Sequence, residues 1–122
     1  MAKKILIADD EQNIVISLEF LMKREGFEVV VANDGEEAVR RIRSDCPDLV
    51  LLDVMMPKKS GFEVCQEIKS DPAMSGVRIL MLTAKGRDTE VAKGLALGAD
   101  AYMTKPFSTK ELVAKVRSML EA

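Results

Sequence analysis

Five residues of this chain have the types and the placement to do chemistry: Asp9, Asp10, Asp53, Thr83 and Lys105. Each follows a short apolar run. Asp9 and Asp10 close Lys4-Ile5-Leu6-Ile7-Ala8, Asp53 closes Leu49-Val50-Leu51-Leu52, Thr83 follows the run from Val77 to Leu82, and Lys105 follows Ala101-Tyr102-Met103-Thr104. None of the five is needed for a core. Three carboxylates converging without compensation repel one another, so either some of them take up protons or a cation sits among them. Oxygen ligands without His or Cys favour Mg²⁺, which takes one or two carboxylates and completes its octahedron with water and substrate phosphate. A lysine adds a point charge and a threonine a hydroxyl, both suited to phosphate oxygens. Acids, a divalent cation and a lysine in one place describe phosphoryl chemistry on a carboxylate. Taken alone, Asp53 has a plainer reading as a turn-forming acid at a strand end. Which reading holds depends on whether the surrounding elements bring the five together.

The run before Asp53 has four branched apolar residues between two acids and is closed by Pro57. It is too short for a stable helix and predicts a strand buried on both faces. Lys4–Ala8 has the same design. Between them, Ile14, Leu18, Leu21 and Met22 recur at helical spacing from Asn13 to Glu25, with Gly26 as the stop. Phe27–Ala32 contains three successive valines and predicts a second strand. Asp34-Gly35-Glu36-Glu37 then offers a capping box to a helix carrying Ala38, Val39 and Ile42, closed by Pro47. After Pro57, Ser60-Gly61-Phe62-Glu63 is a second capping box, ahead of a helix with Phe62, Cys65 and Ile68 on one face that ends near Asp71-Pro72. Val77–Leu82 predicts the fourth strand. Asp88–Leu97 predicts a weakly amphipathic helix that carries Gly94, a poor helix former, inside it and is stopped by Gly98. Ala101–Thr104 is the fifth strand, and Ser108-Thr109-Lys110-Glu111 caps a last helix with Leu112, Val116, Met119 and Leu120 on its apolar face.

Strands that alternate strictly with helices predict an α/β doubly wound parallel sheet with right-handed crossovers and helices on both faces. Both faces are covered only if the strand order reverses somewhere. Ligands bind at such a reversal, outside the carboxyl ends of the strands, where all five polar residues stand.

The 122 residues fit one domain, spanning 1–122, with one sizeable core. A hydrophobic content of 48% with 31% charged residues describes a soluble globular protein, and only 4% aromatic leaves the core to aliphatics and Met. A net charge of −2 without a basic block argues against binding nucleic acid. No run is long enough to span a bilayer and the first residues lack a signal peptide, so a cytoplasmic location is expected and no membrane is involved. Cys46 and Cys65 have no patterned spacing and there is no His, which removes the usual zinc and thiol-imidazole sites. Both are expected to be ordinary reduced thiols.

Four segments carry a resemblance: Ile7-Ala8-Asp9-Asp10-Glu11, Leu51-Leu52-Asp53-Val54-Met55-Met56-Pro57, Leu82-Thr83-Ala84, and Gly98-Ala99-Asp100-Ala101-Tyr102-Met103-Thr104-Lys105-Pro106-Phe107. In this order and spacing they resemble the receiver, or phosphoacceptor, domain of bacterial two-component response regulators, over essentially the whole chain. The resemblance implies a flavodoxin-like sheet of order 2-1-3-4-5. It implies that Asp53 accepts a phosphoryl group from a histidine kinase or phosphotransfer protein. Mg²⁺ would be bound by Asp10, Asp53 and the backbone carbonyl of Met55, with Asp9 acting through water. Lys105 would pair with the phosphoryl group, held by a cis peptide before Pro106, and Thr83 would turn inward to it, letting Tyr102 move from exposed to buried. Such a domain catalyses its own phosphorylation and dephosphorylation and is otherwise a signalling module.

By the same likeness, the face made by the fourth helix, fifth strand and fifth helix controls an output domain or partner. Phosphorylation-dependent homodimers form there through charged pairs, which Lys93 with Glu111 and Asp100 with Lys115 resemble in part. Ala96 and Ala101 stand where those receivers often carry acids. Met55 and Lys85 occupy the positions that flank the phosphoryl group, where an apolar side chain and a long cation obstruct water and imply a long-lived phosphorylated state. Ser60 replaces the usual Asp or Asn before Gly61. A stand-alone receiver and a piece of a longer regulator are both compatible with the chain. Rival readings fit less well: a phosphatase of the haloacid dehalogenase type needs a second Asp where Met55 stands, and a flavin phosphate would be repelled by Asp9-Asp10-Glu11. A degenerate, binding-only receiver would not retain all five site residues.

Overall fold

The computed structural model describes residues 2–84 and 88–121. The elements run β1 (Lys4–Ala8), α1 (Gln12–Arg24), β2 (Glu28–Ala32), α2 (Gly35–Asp45), β3 (Leu49–Asp53), α3 (Gly61–Lys69), β4 (Arg78–Ala84), α4 (Asp88–Ala96), β5 (Ala101–Lys105) and α5 (Thr109–Glu121), with a short 3₁₀ turn at Pro72–Met74. All five residues of β3 are buried, because it lies at the centre of a parallel sheet of order β2-β1-β3-β4-β5. The doubly wound, flavodoxin-like topology expected from the sequence is the one observed.

Alternation along the strands divides the core into two layers. Leu6, Ala8, Val50, Leu52, Ile79 and Met81 pack with Ala38, Val39 and Ile42 of α2 and Val64, Cys65 and Ile68 of α3. Ile5, Ile7, Leu49, Leu51, Leu80 and Leu82 face the other way, against Val15, Leu18 and Met22 of α1 and Leu112 and Val116 of α5. The chain leaves β1 for β2 on one side and, after crossing back, places β3 on the other. The reversal therefore falls between β1 and β3, whose exits carry Asp9, Asp10 and Asp53.

Several local features differ from the sequence expectation. β4 continues through Thr83 and Ala84, two residues past its apolar run, because pairing with β5 matches Thr83 to Thr104 and Ala84 to Lys105. Thr83 is thus inside a strand. At α2, Asp34 accepts from Glu37 N, but the Glu37 carboxylate reaches back to Asn33 N, so the reciprocal box does not close on Asp34. The box at Ser60 and Glu63 is complete. Gly94 does not interrupt α4; it is the contact by which that helix lies on Met81 and Phe62.

Two glycines have opposite environments, and that generates a prediction. A Cβ on Gly61 would lie 2.2 Å from the Asp53 carbonyl oxygen, so Gly61→Ala forces the backbone of β3 or α3 to move. A Cβ on Gly94 would lie 3.4 Å from Met81 Cγ, ordinary contact in a helix. Urea unfolding is expected to show Gly61→Ala destabilised by about 1–3 kcal/mol or more, and Gly94→Ala neutral or stabilised by up to about 1 kcal/mol. The reverse ranking would refute the packing of both helices.

Candidate functional site

At the reversal, one carboxylate oxygen from each of Asp9, Asp10 and Asp53 lies within 4.8 Å of the others. The three reach this spot from two adjacent strand ends. Asp9 and Asp53 are buried and Asp10 is exposed. Lys105, delivered by the end of β5, donates to Asp9 Oδ2 at 3.0 Å and to Asp53 Oδ1 at 3.2 Å. Asp9 Oδ1 accepts from Glu11 N at 2.9 Å, so both of its oxygens are engaged. One ammonium against three carboxylates leaves the cluster short of positive charge.

The imbalance registers in the acid at its centre. Burial, and then the charge of Asp9, push the Asp53 carboxyl up to about 6 from an ordinary 3.8, against the pull of Lys105. Burial alone would lower Lys105, but its hydrogen bond to Asp9 and the charges of Asp53 and Asp9 outweigh that and hold it above the ordinary lysine value. Such a donor set fits a hard divalent cation: oxygen-only, anionic in excess, and open to solvent on the Asp10 side.

Asp10, Asp53 and Lys105 of the cluster line a cleft of about 680 Å³ together with the apolar residues Ile14, Met55, Pro106 and Phe107. The Lys105–Pro106 peptide bond is cis. Met55, which lines this cleft, is 71% exposed. Lys85 lies outside the described residues. Thr83 stands one residue beyond Leu82, the register partner of Asp53. It is 1% exposed, and among the described residues its Oγ1 is the buried side-chain polar atom without a hydrogen-bond partner. Leaving such a hydroxyl unpaired costs about 1–3 kcal/mol, which marks a place where an acceptor belongs. Tyr102, on the neighbouring strand, is 44% exposed.

The four charged residues expected on the output face stand apart from this cluster. Lys93 Nζ sits 4.6 Å from the centre of the Phe62 ring. Asp100 Oδ2 accepts from Ile79 N at 2.8 Å and pairs with Lys69 Nζ at 2.7 Å. Glu111 and Lys115 make no ion pair within the chain among the described residues. Sequence reasoning missed Gly35 and Gly61 as residues of the site's framework. Their signal was only their place in the capping segments, and what each must clear is a backbone carbonyl of another element, Asp53 for Gly61 and Lys59 for Gly35.

The family model for the response regulator receiver domain matches residues 5–117. The chain belongs to that family. This receiver is 48% identical over 120 residues to the alkaline phosphatase synthesis transcriptional regulatory protein PhoP of Bacillus subtilis (strain 168), covering 98% of the receiver and 49% of PhoP. It therefore spans about half the length of that relative. Its fold matches the Vibrio cholerae chemotaxis protein CheY4 with a TM-score of 0.91 at 29% identity, over 98% of this chain and 100% of that one. It also matches the signal receiver domain of a signal transduction histidine kinase from Syntrophus aciditrophicus, TM-score 0.91 at 30% identity, over 98% and 91% of the two chains. The function that follows is phosphorylation-switched signalling within a two-component system. Among the described residues, no helix is long and apolar enough to cross a membrane.

The charge imbalance at Asp53 has a measurable sign. Its folded-state value of about 6 lies above the ordinary 3.8. The folded receiver therefore holds this proton more tightly than the unfolded chain, and the contribution to stability is lost as pH rises through 6. Asp53→Asn removes the titration. In Mg²⁺-free chemical denaturation, the advantage of Asp53→Asn over wild type is expected to widen by about 1 kcal/mol between pH 5 and pH 8. A gap that is constant or narrows with pH would contradict the assigned electrostatics.

Proposed function

We propose that the Asp53 carboxylate accepts a phosphoryl group from a phosphohistidine of a histidine kinase or phosphotransfer protein, and that the face formed by α4, β5 and α5 reports it. The observation that carries this reading is Lys105, held within hydrogen-bond reach of Asp53 beside two further acids. An Asp53 oxygen attacks phosphorus; the new P–O bond forms as the P–N bond breaks, and the electron pair returns to the imidazole nitrogen. An anionic carboxylate meets an anionic phosphoryl group, so catalysis is positioning and charge neutralisation. Asp10, Asp53 and the Met55 carbonyl, with Asp9 through water, would hold Mg²⁺, which when bound would supply positive charge to the phosphoryl oxygens. Lys105 leaves its contact with Asp53 to pair with a phosphoryl oxygen while Asp9 keeps it oriented. Hydrolysis reverses the modification by splitting the acyl phosphate with water, so the receiver acts only on itself. The apolar Met55 side chain lining the cleft slows that water.

Thr83 turns its unpartnered hydroxyl to the phosphoryl group, and Tyr102 follows from exposed to buried. Such a switch transmits only the free energy by which the phosphoryl contacts favour one state. The reader is an output domain or a partner protein, or a second copy through Lys93 with Glu111 and Asp100 with Lys115. Within the protomer Phe62 competes for Lys93, and Lys69 and the Ile79 amide compete for Asp100. Each exposed pair is worth only about 0–1 kcal/mol, so a dimer would need apolar contact beside them. Residues 1–122 form the receiver unit, acting in the cytoplasm.

Incubation with acetyl phosphate and Mg²⁺, read by intact mass, tests the chemistry. One phosphoryl mass is expected on the wild type, none on Asp53→Asn or in the presence of a chelator, and a rate lower by on the order of 10²-fold for Lys105→Ala. Equal labelling of Asp53→Asn means the acceptor is another residue. Once the donor is removed, Met55→Asn is expected to lose its label faster than wild type.

Sedimentation with beryllofluoride and Mg²⁺ tests the read-out. A dimer that dissociates in Glu111→Lys and reforms when Lys93→Glu is added supports the charged pairing. A monomer under every condition leaves partner docking as the role of this face.

A further inference from the structure

The segment between β3 and α3, residues 54–60, is held from an unexpected direction. Its ends are fixed by neighbours: Val54 N donates to Leu82 O at 3.3 Å, and Gly61 N to Val54 O at 2.8 Å. Its middle rests on the start of α2. Gly35 N, at the first position of that helix, donates to Pro57 O at 3.2 Å, and Lys59 N donates to the same oxygen at 2.8 Å. One of the helix's unsatisfied first-turn amides is thus spent on the loop. Lys58 lies at φ +71, a left-handed conformation uncommon for a lysine, and its ammonium is 3.8 Å from Asp34 Oδ2. The other oxygen of Asp34 caps α2 through Glu37 N. A Cβ on Gly35 would lie 2.0 Å from the Lys59 carbonyl oxygen and 2.5 Å from Lys59 Cβ. Only glycine lets the loop lie this close.

From this geometry we infer that the Asp34–Gly35 junction is a positioning element for the Mg²⁺ site, setting the height of the β3–α3 loop and with it the Met55 carbonyl. The inference rests on the proposed role of that carbonyl. Asp34 and Gly35 touch neither the carboxylate cluster nor the cleft; they act through Pro57 and the one residue, Met56, between it and Met55. A Cβ at position 35 displaces the loop as a body, and loss of the Asp34 carboxylate frees the Lys58 turn. Both changes move one ligand of the site while Asp9, Asp10 and Asp53 stay at the ends of β1 and β3. The fold cost of such a change and its effect on the metal are separable, because a glycine elsewhere serves as the control. Gly98 has φ +109 and lies 3.0 Å, by its would-be Cβ, from the Lys69 side chain, away from the loop.

The test is calorimetric titration of the 122-residue chain with Mg²⁺ alone, alongside thermal unfolding without metal. Gly35→Ala is expected to weaken Mg²⁺ binding on the order of tenfold, as substitutions behind a metal ligand do. Asp34→Ala, which removes one cap and one exposed ion pair and so remains folded, is expected to weaken it about twofold to threefold. Gly98→Ala is expected to unfold at a lower temperature with unchanged Mg²⁺ affinity. If Gly35→Ala does not fold, Asp34→Ala decides. Wild-type Mg²⁺ affinity in the folded variants overturns the inference, as does an equal loss in Gly98→Ala. A wild type that binds no Mg²⁺ overturns the reading of the site itself, and the inference with it.

Discussion

Like charges held close together are the constraint on which this structure depends. Asp9, Asp10 and Asp53 converge within 4.8 Å with one lysine between two of them. In an unstructured chain they would separate. Here two adjacent central strands fix the backbone beneath them, and the residues behind, from Ile5 to Ala8 and from Leu49 to Leu52, are fully buried. The free energy of that core opposes the repulsion of the site. The same arrangement explains why Asp53 titrates near 6 while it sits next to a lysine: removal from water and the charge of Asp9 together exceed the attraction.

Holding the acids is only half of the requirement, because the loop above them must also be fixed. The protein achieves this with close backbone approaches. α3 begins against the Asp53 carbonyl at Gly61, and the loop lies against the start of α2 at Gly35. In both cases a helix N-terminus, with its unpaired amides, meets a carbonyl of the segment that follows β3. Side chains could not substitute for these contacts without moving the strand end.

This division explains what was legible in the sequence. Buried parallel strands write themselves as apolar runs, and the polar residue ending each run was readable as a site residue before any tertiary contact was known. Strand order was not readable in this way, since alternation fixes the class of sheet and only the likeness to receivers fixed the order. Thr83 and Ala84 were readable as the terminus of β4, but their pairing with β5 left no hydrophobic signal, since the apolar run stops at Leu82. Gly94 looked like a flaw in α4 because its reason is a partner on another strand. Asp100 looked free for a second protomer, yet its carboxylate is already taken by Lys69 and the Ile79 amide. Contacts of that kind link residues remote in sequence, and periodicity carries no trace of them.

The longer β4 also bears on how a change at Asp53 can be felt elsewhere. Strand alternation puts Met81 and Thr83 on one face of the sheet, and the register places Tyr102 beside Met81 and Thr104 beside Thr83 on that same face. α4 lies on this face through Gly94, whose nearest neighbour is Met81. The unpaired hydroxyl of Thr83 is therefore one strand step from the residue that supports α4 and one strand across from the half-exposed Tyr102. In the proposed switch, a rotation of Thr83 toward an acceptor at the strand end would empty volume on the face that both Tyr102 and α4 border. Interiors packed at crystal density do not leave such volume open, so a neighbouring group must move in. Tyr102, with 44% of its surface exposed, is the group with room to do so.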